Sequence, residues 1–461
     1  MLHFKYALKT DGATTVLLDL CEHMDPSRVV CDFLLGDKKV PEHVLGRIRK
    51  IWPEGGGGGR IYSIEAYCRE KDPVRYTFHK ILFCCRLIRQ GNYDVVHVHT
   101  EDAGRSLILF FAWLMGVKGR VVHSHNSFTQ SGRMGGVGQR LFKQLLPIWT
   151  NGYLACSAPA ARWMFPGWLL RKKKVVFLPN GIQTEPFCFS ETERQECRQE
   201  LGLEGEQVFA LCAVGRLAQQ KNLAFLLRVL GLAQGELRQK RERGQTQGQT
   251  HKEPWRYEQA EPQLRLLLVG DGPERERLEE LADKLHLSSS VLFLGERDDV
   301  PKILWASDLF LLPSFFEGLP RALVEAQAAG LPCLVSGCVT RQADLTGRVC
   351  YLPVKGAAER WARRILEEAA SQWAEVRQEE ARLGGTVCQP EICPEEAAPQ
   401  PEVCPEGTIS RTGAHPGEDI RQQRIRLRRQ AARQVERSGF CIRDSAKKLE
   451  RYYDRFQKSC L

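Results

Sequence analysis

The amino-acid sequence predicts an α/β protein built on parallel sheets, and three observations predict it. Short apolar runs of strand length alternate with helical stretches, as in Val29–Leu35, a helix from about Tyr76 to Gln90, and Asp94–His99. That pattern belongs to parallel strands joined by helices on both sheet faces. A second alternating set opens at Val208–Val214, and 461 residues are enough for two or three domains with their own cores. Turns of small residues follow several strand ends, where open α/β sheets gather their ligands.

Composition sets the outer limits. Hydrophobic residues make up 43% and charged residues 26%, and no apolar run reaches the length of a bilayer span. Met1 leads into HFKYAL rather than a charged stretch, a long apolar segment and a small-residue cleavage site, so a cytoplasmic location is expected. The formal charge of +10 suits nucleic acid, an anionic membrane face or a phosphorylated substrate. No zinc-finger spacing or RNP-type aromatic motif accompanies it, so nucleic acid is not an expected partner. The 17 cysteines are scattered through apolar runs, as at Cys84, Cys85, Cys212 and Cys333, where a thiol acts as a small hydrophobe. Without any C-x-x-C, neither a disulfide framework nor a metal site is expected, Cys388, Cys393 and Cys404 included.

In chain order, the first strand is placed at Lys5–Leu8. Asp11-Gly12-Ala13-Thr14 then makes a small-residue turn that opens the helix carrying Leu17, Leu18 and Leu20. Gly55 to Gly59 can only be loop. His97 and His99, two apart, share one face of a buried strand, and Arg120–Ser124 is another strand, followed by His125-Asn126-Ser127. His97 and His123 are expected to be hydrogen-bonded core residues, whereas His125 lies past the strand end. Arg162–Lys174, RWMFPGWLLRKKK, reads in two ways. It is a packed helix with a solvated turn, or an interfacial patch with aromatics at headgroup level and Arg171–Lys174 facing anionic lipid. Val175–Gln183 is a strand ending in Asn180-Gly181.

Glu191–Leu201 is an amphipathic helix. After the strand Val208–Val214 come Gly215-Arg216-Leu217 and Lys221-Asn222. A glycine lets a phosphate reach the backbone, and Arg216 and Lys221 can neutralise it, one as a fork and one as a point charge; solvated helix-start cations are the alternative. Residues 234–263 are polar without apolar periodicity and read as an inserted surface loop. The strand Leu264–Val269 ends in Gly270-Asp271-Gly272-Pro273, a turn that brings backbone close to a cleft. Leu278–Leu285 is helical, and Val291–Leu294 is a strand before Gly295-Glu296-Arg297. Leu309–Leu312 then runs into a loop through Pro313, Ser314 and Gly318, and into a helix with Pro320 at its first turn that Gly330 and Pro332 stop. Glu317 lies just before this helix and Glu325 in its second turn. Eight helical positions rise about 12 Å and turn by roughly 80°, so two such carboxylates can reach the ends of one extended, hydroxyl-rich ligand. They are equally readable as solvated acids favoured by the helix dipole. Leu331–Ser336 continues the sheet and Trp361–Arg382 is helical. Residues 384–418, rich in Pro and Glu, read as disordered; a basic helix, Ile420–Arg437, and an amphipathic one, Ala446–Phe456, follow.

Set in FEGLPRALVEAQAAGLP, Glu317 and Glu325 resemble the E-x7-E element of the retaining glycosyltransferases of family 4, in particular bacterial members that build exopolysaccharide, capsule or lipopolysaccharide. Five motifs stand in that family's order. The resemblance implies a GT-B fold, two Rossmann-like domains facing across a cleft: residues 1–185 for the acceptor, residues 186–440 for the nucleotide sugar, and a helix within 441–461 crossing back to the first domain. It implies metal-independent transfer of a sugar, with retention, from a nucleotide-diphosphate donor to a saccharide or lipid-linked acceptor, with no cofactor. On the same resemblance Glu317, with Gly318 and Leu319, holds the donor sugar and Glu325 the ribose. Gly215, Arg216 and Lys221 hold the diphosphate, His125 approaches the reacting centre, and Gly12 and Gly270 border the donor. Arg297 falls in the base-binding loop, where it contacts the nucleobase or pairs with Asp298 or Asp299. The first loop departs from the family pattern, with Asp11 for its first glycine and Thr14 for its glutamate.

Two other functions fit the same architecture. A non-catalytic binding protein of a polysaccharide assembly complex would need no intact site. A sugar-nucleotide epimerase would need further acid/base carboxylates near the sugar. The absence of any D-x-D argues against the alternative transferase fold, in which carboxylates hold a cation on the diphosphate.

Overall fold

Buried, branched and aromatic runs pair side by side into two wholly parallel sheets. The computed structural model describes residues 1–457 apart from 10, 38, 54–56, 69–71, 128–135, 206, 248–261 and 385–419. Among the described residues the first sheet contains β1 (Leu2–Lys5), β2 (Asp32–Leu35), β3 (Ile61–Ser63), β4 (Val95–His99), β5 (Gly119–Ser124), β6 (Gly152–Ala155) and β7 (Val176–Phe177). Their order is β3-β2-β1-β4-β5-β6-β7. The second contains β8 (Val208–Val214), β9 (Gln263–Val269), β10 (Val291–Gly295), β11 (Leu309–Leu312), β12 (Cys333–Ser336) and β13 (Val349–Leu352), ordered β10-β9-β8-β11-β12-β13. In each sheet the strand order reverses beside the first strand, between β1 and β4 and between β8 and β11. Open α/β sheets bind their ligands at such points.

The strands read as continuous apolar runs because both faces are covered. Leu309 to Leu312 are all buried, with Phe209 and Trp361 packed in the same cluster as Leu309 and Leu311. The helix Ile442–Gln457 returns to the first sheet, where Ile442, Ala446, Leu449 and Tyr453 pack on Val95, Val121 and Leu154. Tyr453 Oη lies 2.6 Å from His97 Nδ1, and Tyr452 Oη accepts from the Tyr153 amide at 2.8 Å. Ile182 bridges to Cys441 at this crossing. A Cβ at Gly181 would lie 2.9 Å from Ile442 Cα, so the Asn180-Gly181 turn needs its glycine to let the returning chain pass. The helix Ile420–Val435 is anchored by Arg428, which is buried and donates to the carbonyls of Trp305 (2.9 Å) and Ser307 (2.8 Å).

Three expectations require correction. The first strand is Leu2–Lys5, not Lys5–Leu8: Leu2 and Phe4 fill one sheet face, and Ala7 and Leu8 are buried from the loop that follows. The expected strand at Val175–Gln183 pairs only over Val176–Phe177, before Pro179, which has no amide to donate. The stretch expected to be a loop over 234–263 begins as helix, since Leu223–Gln247 is one continuous element, and ends as strand from Gln263. Residues 248–261 lie outside the described residues, as does all of 384–418 beyond Gly384, the last residue of the helix Ala358–Gly384.

Candidate active site

At the end of β8 the backbone of Gly215 adopts φ +143°, a conformation that L side chains avoid. Its amide donates to Val269 O at 2.9 Å, and Gly270, at φ +122°, packs so closely that a Cβ there would collide with the Gly215 carbonyl. The turns after β8 and β9 therefore interlock. A short 3-10 turn, Gln219–Lys221, ends at Asn222 in the left-handed region and folds Lys221 back over Gly215. Lys221 Nζ then lies 2.8 Å from a Glu317 carboxylate oxygen, with Glu317 only 7% exposed. Arg216, beside them, is exposed and forms no hydrogen bond or ion pair among the described residues.

The loop after β11 reaches across to the first domain. Ser127 Oγ donates to Glu317 O at 2.7 Å, Ser157 Oγ to Gly318 O at 2.6 Å, and Asn180 Nδ2 to Leu319 O at 2.9 Å. Three successive carbonyls of one domain are thus held by three side chains of the other. A Cβ at Gly318 would strike the His125 carbonyl oxygen, so glycine is required for the contact.

Pro320 precedes the helix Arg321–Ala328, so Glu317 stands on the loop before it and the eight-position helical spacing to Glu325 does not apply. Glu325 accepts from Arg321 Nε at 2.6 Å. Arg321 also pairs with Asp19 of the helix Gly12–His23, and Asp19 pairs with Arg47 at 2.8 Å. Burial works against the Arg321 charge, but Glu325 and Asp19 outweigh it and raise the guanidinium above its ordinary value. Gly12 opens its helix beside Arg321, its Cβ position 3.9 Å from Arg321 Cβ. In the divergent first loop, Lys5 Nζ donates to Asp11 (3.1 Å) and Thr14 Oγ1 (2.9 Å), and Asp11 caps the helix through the Thr14 amide at 2.7 Å.

His125 Nε2 lies 2.9 Å from His99 Nδ1, and His99 Nε2 lies 3.0 Å from His3 Nδ1. Burial, then Lys5, push His125 down to about 4, so the ring is neutral at physiological pH. His97 is a hydrogen-bonded core residue as expected. His123 is core but not hydrogen-bonded: neither ring nitrogen finds a partner among the described residues, and its ring stacks on His97 with centroids 5.5 Å apart. Arg297 is bound to Asp299 at 2.7 Å and to Glu200 at 3.0 Å, which is the ion-pair alternative rather than a guanidinium turned to a base. RWMFPGWLLRKKK forms two short helices that bury Met164, Phe165 and Leu169 and leave Trp168 exposed.

Sequence reading missed Asp19, Ser157, Asn180 and Arg321 as parts of this junction. Asp19 carried a signal, a single carboxylate inside the apolar run LLDLC. Side chains that hold backbone carbonyls carry none.

Two Rossmann-like parallel sheets, tied together by the loop after β11 that carries Glu317 to Leu319, define the GT-B class of glycosyltransferases. HepE of Anabaena, solved in complex with UDP and glucose, shares this fold with a TM-score of 0.58 at 16% identity, over 82% of this chain and 94% of that one. Residues 10–186 match the family described as Glycosyltransferase Family 4, and residues 193–366 match Glycosyl transferases group 1. EpsF of Bacillus subtilis is 30% identical over 80% of this chain and 88% of its own length. An Escherichia coli protein named UDP-Gal:alpha-D-GlcNAc-diphosphoundecaprenol alpha-1,3-galactosyltransferase is 28% identical over 60% of this chain and 66% of its own. The chain belongs to this glycosyltransferase family.

Proposed function

We propose that the chain transfers a sugar from a nucleoside-diphosphate donor to a hydroxyl of a saccharide acceptor, with retention and without a metal on the diphosphate, in the synthesis of a bacterial surface polysaccharide. The observation that carries this reading is the Lys221–Glu317 contact over Gly215, with the unpaired Arg216 beside it. As the glycosidic bond to phosphate breaks, negative charge grows on the diphosphate. Two cations at a backbone with no side chain stabilise that charge where it develops. Glu317, released from Lys221 by the arriving phosphate, is free to accept from sugar hydroxyls. Neutral His125 stands across the loop, where the acceptor enters. Retention follows from attack on the face the phosphate leaves, with the leaving oxygen taking the acceptor proton. Uridine is the first nucleotide to test, since HepE was solved with UDP and the E. coli relative is named for a UDP-sugar.

A lipid-linked acceptor at the cytoplasmic membrane face is the extension of this reading. No helix among the described residues is long and apolar enough to cross a membrane. The first domain exposes Trp113, Leu114, Met115, Leu141, Ile148 and Trp168, and Arg171 to Lys174 are exposed three residues after Trp168, with Lys172 Nζ 5.8 Å from the Trp168 ring. Aromatic and basic side chains in that mixture favour an anionic bilayer surface. The relative named for a diphosphoundecaprenol acceptor supports the same extension.

The test incubates purified protein with UDP-, GDP- and ADP-sugars and follows slow donor hydrolysis in wild type, Glu317→Ala and Arg216→Ala. Hydrolysis of one donor, lost in both variants, supports the transferase site and names the donor. Donor binding without turnover, unchanged in the variants, would move the binding-protein reading to the front. The Lys5-bound Asp11 and Thr14 in place of the family's loop residues are the observation in its favour.

A further inference from the structure

We propose that His3, Cys21 and Cys31 form a buried site for a thiophilic d10 cation, zinc(II) or copper(I), separate from the donor cleft. Three elements bring these side chains together. His3 lies on β1, Cys31 immediately precedes the neighbouring parallel strand β2, and Cys21 sits in the last turn of the helix Gly12–His23. They are 1%, 1% and 3% exposed respectively. One ligating atom from each lies within 4.8 Å of the others, and both cysteines are free thiols.

His3 is oriented for the task. Its Nδ1 is committed to His99 Nε2 at 3.0 Å, which leaves Nε2, a buried nitrogen with no hydrogen-bond partner among the described residues, as the atom available beside the thiols. A second ligand sphere that fixes ring and tautomer through the other nitrogen is how metal-binding histidines are held. The donor set is two sulfurs and one imidazole with no carboxylate. Such a set excludes calcium and magnesium, which need oxygen, and selects soft or borderline d10 ions. A metal ligand must be a thiolate, so a cation bound here displaces the thiol protons of Cys21 and Cys31. Residues 25–28 and Val30, in the loop that joins Cys21 to Cys31, are exposed.

The proposal does not depend on the donor chemistry. The full chain, purified without chelator and loaded separately with zinc(II) or copper(I), is analysed by metal mass spectrometry beside Cys21→Ser, Cys31→Ser and His3→Gln. The expected result is about one equivalent of one of these ions in wild type, with affinity at least roughly tenfold weaker in every variant. Because a serine variant can fail by misfolding, X-ray absorption at the metal edge of the loaded wild type gives an independent reading. A shell of two sulfurs with nitrogen supports the site. A shell without sulfur, equal loading of wild type and the Cys21→Ser/Cys31→Ser double variant, or no retention of either ion would overturn it. So would an intact mass about 2 Da low from a Cys21–Cys31 disulfide in freshly purified protein.

Discussion

Lys221 Nζ contacts the Glu317 carboxylate at 2.8 Å, tying the turn after β8 to the loop after β11 at the switch point of the second sheet. On the proposed reading, Lys221 meets the donor diphosphate and Glu317 the donor sugar, and the pair holds both side chains in place until the donor arrives. Lys221→Ala removes the cation and frees the acid. Loss of one donor aimed at developing charge typically costs about 10²–10³ in rate. We expect a fall of that size in kcat for donor hydrolysis, and kcat for this variant within a few-fold of wild type would show that Lys221 is only a structural partner of Glu317.

At Gly318 the loop after β11 packs directly on the His125–Asn126 backbone of the first domain. Gly318→Ala puts a methyl group into the His125 carbonyl and pushes the loop off Ser127, Ser157 and Asn180. Overpacking at a fixed contact costs about 1–3 kcal/mol. We expect a melting temperature lower by several degrees and loss of transfer. Ser157→Ala is the milder companion: it leaves the Gly318 carbonyl unpaired, for about 1–2 kcal/mol, and differential scanning calorimetry should rank the two in that order.

How far this junction could be read beforehand differs residue by residue. Glu317, Arg216 and Lys221 are legible as charged residues close to glycine in the loops after β8 and β11, although each reads equally as a solvated residue at a helix start. The clamp of Ser127, Ser157 and Asn180 is invisible in sequence, because its acceptors are main-chain carbonyls that every residue possesses. The helix Leu223–Gln247 was misread as a loop past residue 234 because its later turns, exposed at 238–243, have no apolar face to bury. Gln, Arg, Glu and Lys are good helix formers, so the element continues on its own hydrogen bonds once the packed turns have nucleated it.

Arg297 separates the family resemblance from the geometry. Its guanidinium is bound to Asp299 and Glu200, and partly exposed pairs of this kind contribute only about 0–1 kcal/mol. Arg297→Ala should leave KM for the donor within about twofold and stability nearly unchanged. A rise in KM of tenfold or more, about 1.4 kcal/mol, would mean that the side chain leaves its ion pairs to meet the nucleobase.

Asp308 is fully buried at the foot of β11 and accepts from Arg194 (2.8 Å), Arg198 (3.2 Å) and the Ala210 amide (2.9 Å). Burial raises its pKa, but the arginines outweigh burial and hold the carboxyl well below the usual range. Asp308→Asn leaves the arginines without their counter-charge, and breaking such a buried pair costs about 3–5 kcal/mol. Because the folded value is depressed, this contribution is complete above about pH 4, the unfolded value, and fades only as pH falls further. The difference in unfolding free energy between variant and wild type should therefore be flat from pH 7.5 to 5; a difference that shrinks across that range would contradict it.

The histidines lose stability in the same direction, as pH falls, but over a higher window. Burial pushes His123 well below its ordinary value, and His125 to about 4. In the unfolded chain each takes up a proton near pH 6.5, while in the fold it stays neutral, so stability is lost as pH falls from about 6.5 toward 4. Each such group should cost about 1 kcal/mol between pH 6.5 and 5.5. His123 offers a clean subtraction, because among the described residues neither of its ring nitrogens has a partner to lose, and a phenyl ring can keep the stack on His97 and the tilted contact with His125. His123→Phe should therefore cost little at pH 7.5 and should flatten the acid slope of urea-unfolding free energy by about 1 kcal/mol per pH unit. An unchanged slope would mean that His123 already takes up its proton inside the fold.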